Sequence, residues 1–277
     1  MTDKYAKPLI AVDRYAVVGN PIAHSKSPQI HQAFAKQTGQ DISYKAILAP
    51  LDEFEVTVRR LIDDGYKGVN ITVPFKLQAF LLSDSLSPQA QSADAANTLI
   101  LNQKNIQGHN TDGIGLINDI TKNLGVALQG KRVLLLGAGG AAEGVFQPIL
   151  EQKPETLVVA NRTLDKAQKM VNKSPKKASA SSFEELQGQF DIVINATSTG
   201  LSDVALPISN NIFAVGCLAY EMMYGRETPF MKFAKENGAQ VADGLGMLVE
   251  QAAEAFYIWR GVRPQTAPVI TMLRNAN

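Results

Sequence analysis

Five short stretches of this chain carry residue types and spacings that could do chemistry. Lys76 stands just beyond Gly68-Val69-Asn70-Ile71-Thr72-Val73-Pro74-Phe75, and Asp112 lies in Gly108-His109-Asn110-Thr111-Asp112-Gly113. An ammonium and a carboxylate can share proton traffic at a reacting oxygen, so Lys76 and Asp112 form a candidate acid–base pair. Each also has a plain structural reading: Lys76 as a surface lysine, Asp112 as the cap of a helix resuming near Ile114. Ser25 and Ser27 precede Pro28. Two hydroxyls beside a helix N-terminus suit a ligand carboxylate, although Ser27 before Pro28 also reads as an N-cap followed by proline at the first helical position. Asn70 and Thr72 alternate with Val69, Ile71 and Val73, so they lie on one strand face, either lining a polar pocket with Lys76 or facing solvent.

The fourth stretch is Val133-Leu134-Leu135-Leu136-Gly137-Ala138-Gly139-Gly140-Ala141-Ala142-Glu143-Gly144. An apolar strand runs into a glycine turn and a helix start. The spacing Gly137-x-Gly139-x-x-Ala142 fits the dinucleotide fingerprint, with alanine as the third small residue. Gly137 permits the tight turn, Gly139 lets a pyrophosphate approach the backbone, and Ala142 allows close packing of helix on strand. Gly137, Ala138, Gly139, Gly140 and Ala141 would then cradle phosphates at the helix N-terminus. The fifth stretch follows the next strand, Thr156 to Ala160, where an acid would bind a ribose 2′-hydroxyl. Here the residues are Asn161-Arg162-Thr163, with Lys166 one helical turn on. A carboxylate would repel a 2′-phosphate, whereas an arginine can grip it, so these residues point to NADP. Asp165 could itself accept from a ribose hydroxyl.

These residues need elements to hold them. Tyr15 to Pro21, Ser43 to Ala49, Gly68 to Val73 and Ala95 to Leu101 read as strands, with a turn from Asn105 to Gly108. Helices are expected from Ser27 to a cap at Gly39, and from Glu53 to Asp64, ending at Gly65. After the fingerprint, Phe190 to Thr197 is a buried strand ending in Ser198-Thr199-Gly200, which puts Thr197 and Ser198 at a strand's carboxyl end, where ligands lie in open α/β sheets. Phe213 to Leu218 is another strand, leading to Tyr220-Glu221-Met222-Met223-Tyr224. Pro229 to Glu236 is helical and Gln240 to Ala242 a last short strand. Asp243-Gly244-Leu245-Gly246 opens a helix to about Trp259, with Gln251 beside Leu248 and Ala255, and a final helix runs from Ala267 to Arg274.

Composition bounds the answer. With 277 residues, 45% hydrophobic and 19% charged, the chain has room for two domains and a sizeable core. A formal net charge of +1 gives no bulk case for nucleic acid or an acidic membrane surface. Cys217 is the single cysteine and there are three histidines, so no intramolecular disulfide is possible and a metal site is not expected. Met1 to Asp13 lacks an apolar run suited to a signal peptide and no segment could span a bilayer, so a cytoplasmic location is expected. Lys173 to Lys177 reads as a solvated basic loop.

Taken together, several segments resemble the shikimate dehydrogenase family. They are Gly19-Asn20-Pro21-Ile22-Ala23-His24-Ser25-Lys26-Ser27-Pro28, Asn70-Ile71-Thr72-Val73-Pro74-Phe75-Lys76, Ala96-Asn97-Thr98, Asn110-Thr111-Asp112-Gly113, Gly137 to Gly144, Asn161-Arg162-Thr163, Asn195-Ala196-Thr197-Ser198, and Asp243-Gly244-Leu245-Gly246-Met247-Leu248-Val249-Glu250-Gln251. They follow the family's order across almost the whole chain. The resemblance implies an α/β fold with an N-terminal substrate domain (1–112 and 246–277, the C-terminal helices returning to it) and a Rossmann NADP domain (113–245). It implies reversible NADPH-dependent reduction of 3-dehydroshikimate to shikimate. Ser25 and Ser27 would hold the substrate carboxylate with Tyr224 nearby. Asn70, Thr72, Asn97, Asp112 and Gln251 would hold the ring oxygens, and Lys76 and Asp112 would be the catalytic pair. Arg162 would take the 2′-phosphate, with Met222 and Gly244 also on the cofactor. Glu221 departs from the aspartate the family often carries, an exchange expected to alter local packing rather than chemistry. Two other readings compete: a related quinate/shikimate enzyme using NAD or NADP, and a non-catalytic NADP-binding regulator on the same fold. Oligomeric state stands open between monomer and homodimer.

Overall fold

The computed structural model describes residues 12–201 and 204–276, so most of the Met1 to Asp13 segment lies outside the described residues. The first half contains β1 (Asp13–Gly19), α1 (Ser27–Thr38), β2 (Ile42–Leu48), α2 (Phe54–Asp63), β3 (Tyr66–Ile71), α3 (Lys76–Leu82), β4 (Ser85–Leu86), α4 (Pro88–Ala93), β5 (Thr98–Leu101) and β6 (Ile106–His109). After α5 (Asp112–Asn118) and a π-helical turn over Asp119–Asn123 come β7 (Arg132–Leu136), α6 (Gly140–Glu151), β8 (Thr156–Ala160), α7 (Leu164–Val171), β9 (Ala178–Ser181), β10 (Phe190–Asn195), β11 (Phe213–Glu221), α8 (Pro229–Glu236) and β12 (Gln240–Asp243). The chain closes with α9 (Leu245–Arg260) and α10 (Ala267–Asn275).

Two six-stranded sheets result. The first runs β2-β1-β3-β5-β6-β4, with β1, β2 and β3 parallel and β5 antiparallel to both β3 and β6. The second runs β12-β11-β10-β7-β8-β9 and is parallel throughout. Numbered within itself, that order is the doubly wound 3-2-1-4-5-6 arrangement, with its reversal between β7 and β10. Val133 and Leu135 enter one core with Val145, Phe146 and Ile149 of α6, while Leu134 and Leu136 enter another with Phe230 and Ala234 of α8. Burial on both faces explains why this strand is an unbroken apolar run. In β1 the same alternation puts Ala16 and Val18 against Phe54 and Val58 of α2, and Tyr15 and Val17 on the opposite face near Trp259 of α9. Ile30 and Phe34 of α1 pack on Val249 and Phe256 of α9 and Val269 and Leu273 of α10, so the last helices cover the first sheet.

Several local expectations are corrected. The cap of α1 is Lys26, without a side-chain bond, and Ser27 is the first helical residue; Ser25 Oγ instead accepts the Ser27 N–H at 3.3 Å. The strand carrying Asn70 stops at Ile71, and the following tight turn places Lys76 at the start of a helix. Residues 106–109 are strand rather than turn, paired with both β5 and β4; the chain reverses earlier, where Asn102 Oδ1 accepts the Lys104 and Asn105 N–H groups. Asp112 sits inside the first turn of α5, with Thr111 at the cap. Lys173 is not merely solvated. It pairs at 2.9 Å with both Asp94 of the first half and Glu143 of α6.

Candidate active site

The carboxyl ends of β1, β3 and β6 converge, and a cavity of about 440 Å³ opens there. Ser25, Ser27, Asn70, Thr72, Lys76, Asn97, Asp112, Tyr224 and Gln251 all line it, together with Met222, Gly244 and Met247. The fold explains the convergence. Thr72 and Lys76 follow β3, Asn97 immediately precedes β5, and Asp112 follows β6 where that strand turns into α5. Gln251 arrives from α9, more than a hundred residues away in sequence, because that helix lies along α5.

Lys76 Nζ donates to Asp112 Oδ2 at 2.5 Å, with the lysine side chain 29% and the aspartate 12% exposed. The pair is therefore desolvated on most sides yet open to the cavity. The second carboxylate oxygen accepts from Asn97 Nδ2 at 2.8 Å. Asp112 N–H in turn donates to Asn110 Oδ1 at 3.0 Å, so the aspartate is held from both ends. Gln251 Oε1 accepts from Thr111 Oγ1 at 3.3 Å, and Gln251 Nε2 donates to the Leu248 carbonyl. Asn70 is buried rather than solvated: Tyr44 Oη donates to its Oδ1 at 2.7 Å and its Nδ2 donates to Thr98 Oγ1 at 3.0 Å. Burial raises the Tyr44 hydroxyl well above its ordinary pKa, so it remains a donor, and Ser27 lies beside it. Sequence reading missed Tyr44, Thr98 and Thr111. Of these, Thr98 and Thr111 lie within the quoted stretches, but nothing in their type separates them from strand threonines.

A second cavity, of about 620 Å³, lies over the reversal point of the parallel sheet. Gly137, Ala138, Gly139, Gly140, Ala141, Asn161, Arg162, Thr163, Lys166, Thr197 and Ser198 line it. Ala141, Ala196 and Thr197 border both cavities, so the two are contiguous. Gly137 has φ +104°, a conformation that favours glycine, and a Cβ there would crowd the Ala196 backbone at 3.2 Å. A Cβ on Gly139 or Gly140 would meet no protein atom. The space above the start of α6 is thus open, and no side chain caps that helix. Its first N–H groups are available to an anion. Arg162 and Lys166 are exposed, and among the described residues neither pairs with a carboxylate.

Glu221, at the end of β11, is wholly buried and lines neither cavity. Burial raises its carboxyl pKa, opposed by the Met223 N–H, the Thr228 hydroxyl and the Asn195 amide. Asn195 Nδ2 and Thr228 Oγ1 each donate to Oε2 at 2.8 Å, and Met223 N donates to Oε1 at 3.0 Å. Asn195 Oδ1 accepts from the Thr197 hydroxyl. This carboxylate therefore ties the Met222-Met223-Tyr224 segment to the strand end that borders both cavities.

A doubly wound nucleotide fold beside a polar pocket holding a lysine–aspartate pair defines a dinucleotide-dependent oxidoreductase. Comparison with known proteins agrees. Residues 17–99 match the family model for the shikimate dehydrogenase substrate binding domain, 118–204 that for shikimate / quinate 5-dehydrogenase, and 244–271 that for the shikimate 5′-dehydrogenase C-terminal domain. A shikimate dehydrogenase (NADP(+)) of Methylobacillus flagellatus is 58% identical over 270 residues, covering 96% of this chain and all of the relative. The crystal structure of an Ael1 enzyme from Pseudomonas putida superimposes with a TM-score of 0.90 at 50% identity, over 94% of this chain and 98% of that one. The Thermus thermophilus shikimate 5-dehydrogenase, solved with NADP(H) and shikimate, gives 0.86 at 32% identity over 96% and 100%. The chain belongs to the shikimate dehydrogenase family.

Proposed function

We propose that this protein catalyses the reversible NADPH-dependent reduction of 3-dehydroshikimate to shikimate, with Lys76 and Asp112 as the acid–base pair. The observation that carries the reading is the 2.5 Å Lys76–Asp112 contact inside a cavity contiguous with the one over the glycine turn. Residues 1–112 and 246–277 would form the substrate domain and 113–245 the NADP domain. NADP fits the second cavity: the open space above Gly139 and Gly140 admits a pyrophosphate, and Arg162 with Lys166 offers positive charge to a 2′-phosphate. When bound, NADPH would supply the hydride.

The chain's own residues do the rest. The substrate carboxylate would be held by Ser25 and Ser27, with Tyr224 close by. Asn70, Thr72, Asn97 and Gln251 would hold the ring hydroxyls. As the substrate ketone becomes an alkoxide, Lys76 stands ready to stabilise the charge and deliver a proton to that oxygen. Asp112 orients Lys76 and would bind the same hydroxyl, and in the reverse direction the hydroxyl proton returns to Lys76. Burial of the pair within the cavity walls strengthens these interactions.

Following NADP+ reduction by absorbance with shikimate and quinate in parallel, each also with NAD+, tests the substrate and cofactor together. The shikimate–NADP+ combination is expected to have the highest kcat/KM; a preference for quinate with NAD+ would move the protein to the competing reading. Lys76→Ala is expected to keep NADPH binding, measured by fluorescence titration, and to lose about 10²–10⁴-fold in kcat. A normal kcat in that variant would sink the assignment. A protein that bound NADPH and turned over neither acid would be a sensor instead.

A further inference from the structure

Five buried or half-buried hydrogen bonds run in sequence from the edge strand of the first sheet to the acid–base pair. Tyr44 Oη donates to Asn70 Oδ1 at 2.7 Å, Asn70 Nδ2 to Thr98 Oγ1 at 3.0 Å, and Thr98 Oγ1 to Asn97 Oδ1 at 2.9 Å. Asn97 Nδ2 then donates to Asp112 Oδ1 at 2.8 Å, whose other oxygen accepts from Lys76 Nζ at 2.5 Å.

The direction of this chain is forced. Asn97 Oδ1 accepts the backbone N–H of Thr111 at 2.9 Å, a donor that cannot reverse. That fixes the Asn97 amide and turns its N–H toward the Asp112 carboxylate. An amide oxygen can only accept, so the Thr98 hydroxyl must donate to it. The Thr98 oxygen is then available to accept, and Asn70 must show it nitrogen. Asn70 in turn shows oxygen to Tyr44, whose hydroxyl donates. Each link leaves its neighbour one choice, so both cavity-lining asparagines are locked in one amide orientation.

We infer that Thr98 and Tyr44 are positioning residues in a one-way donor relay: Thr98 passes on to Asn70 the amide orientation that the Thr111 N–H fixes at Asn97, Tyr44 holds the Asn70 oxygen, and the relay delivers its last N–H to Asp112. Neither lines the cavity; Thr98 is 0% and Tyr44 4% exposed. They act through other residues and touch neither substrate nor cofactor. The relay's seat is rigid. Asn70 and Thr98 face each other directly in the antiparallel β3–β5 register, and Tyr44 lies on β2, on the far side of β1 from β3. His31 stacks flat on the Tyr44 ring, with centroids 4.2 Å apart and planes 5° from parallel. A strand-borne threonine at that register position can hold its hydroxyl between two asparagines because the backbone fixes both.

The inference rests on Lys76 and Asp112 being the catalytic pair, so the experiment includes Lys76→Ala. The assay is steady-state turnover of shikimate with NADP+, with KM for each, in T98V, T98S, Y44F and K76A. T98V keeps the side-chain shape and removes both bonds of the Thr98 hydroxyl, and T98S keeps them. T98V and Y44F are expected to lower kcat about tenfold, near the value of one buried hydrogen bond, with KM for NADP+ unchanged. T98S should recover most of the loss, which a purely packing role for the threonine would not predict. Should T98V fail to fold, Y44F, which removes one oxygen and no carbon, carries the test. Parental kcat in T98V or Y44F, or a T98S variant as impaired as T98V, overturns the relay. If K76A loses turnover while T98V and Y44F keep it, the relay alone fails. If K76A keeps turnover, the assignment of the pair fails first.

Discussion

Arg162 illustrates what a single residue contributes here. It is exposed, at the carboxyl end of β8, and among the described residues it has no carboxylate partner. A guanidinium on the rim of a nucleotide cavity with no carboxylate to release is ready for a planar, two-point grip on a phosphate. Arg162→Ala is expected to raise KM for NADP+ about tenfold or more and to leave KM for NAD+ nearly unchanged, since only the former carries the extra phosphate. Equal effects on both cofactors in steady-state kinetics would remove the 2′-phosphate role. Glu221 works the opposite way: three donors and full burial commit its carboxylate to holding the 222–228 segment, where it meets neither cavity.

Among elements, the crossing of α5 and α9 decides whether Gln251 reaches the pocket. The helices approach so closely that a Cβ on Gly115 would stand 2.7 Å from Gln251 Cβ and 2.9 Å from both the Gln251 nitrogen and the Met247 carbonyl. Backbone atoms cannot swing aside as a flexible side-chain tip can. Gly115→Ala must therefore push α9 outward, at about 1–3 kcal/mol. The expected result is a lower urea midpoint together with a raised KM for shikimate, because Gln251 moves with the helix. An unchanged KM in a destabilised variant would show that Gln251 does not hold the substrate. The same junction is stitched by buried polar groups: Tyr220 Oη donates to Asp119 Oδ2 at 2.5 Å, and Asn123 Nδ2 bridges Asp119 and Glu250. It lies where the chain passes from the first sheet to the second and back.

For the molecule as a whole, stability should depend on pH through His31. The ring is wholly buried between Tyr44, Phe34, Phe256 and Trp259, and neither nitrogen has a hydrogen-bond partner. Burial lowers its pKa to about 3, and the nearby Asn70 side chain offsets this only in part. The folded state holds the imidazole neutral, whereas the unfolded chain protonates it near its ordinary pKa of about 6.5. Stability from this group is complete above that value and is lost as pH falls toward 3. From pH 7 to pH 5 the loss amounts to about 2 kcal/mol. Asp119 and Glu221, whose pKa values are raised mainly by burial, act with the other sign, their cost setting in as pH rises above the ordinary carboxylate values and complete once it passes their folded ones. Comparing urea unfolding of the parent and His31→Phe at both pH values isolates the histidine. The parent should lose about 2 kcal/mol more than the variant on acidification, and parallel losses would show that His31 titrates normally.

Much of this protein is legible in one dimension. The apolar run before Gly137 and the glycine spacing determine a nucleotide fold, and Asn161-Arg162 with the stretches holding Ser25, Asn70, Lys76 and Asp112 mark the candidate phosphate and reacting groups, because each depends on local backbone geometry or on charge. Tertiary structure decided the rest. The paired strand at 106–109, the Lys76 helix start and the burial of Asn70 depend on which strand lies beside which. The two-point hold on Asp112 and the relay through Thr98 join residues from β2, β3, β5 and α5, and their directions follow from a backbone N–H at Thr111. Hydrogen-bond direction across a sheet is set by neighbours distant in the chain, so the chemistry-bearing residues were readable in sequence, but not what holds them still.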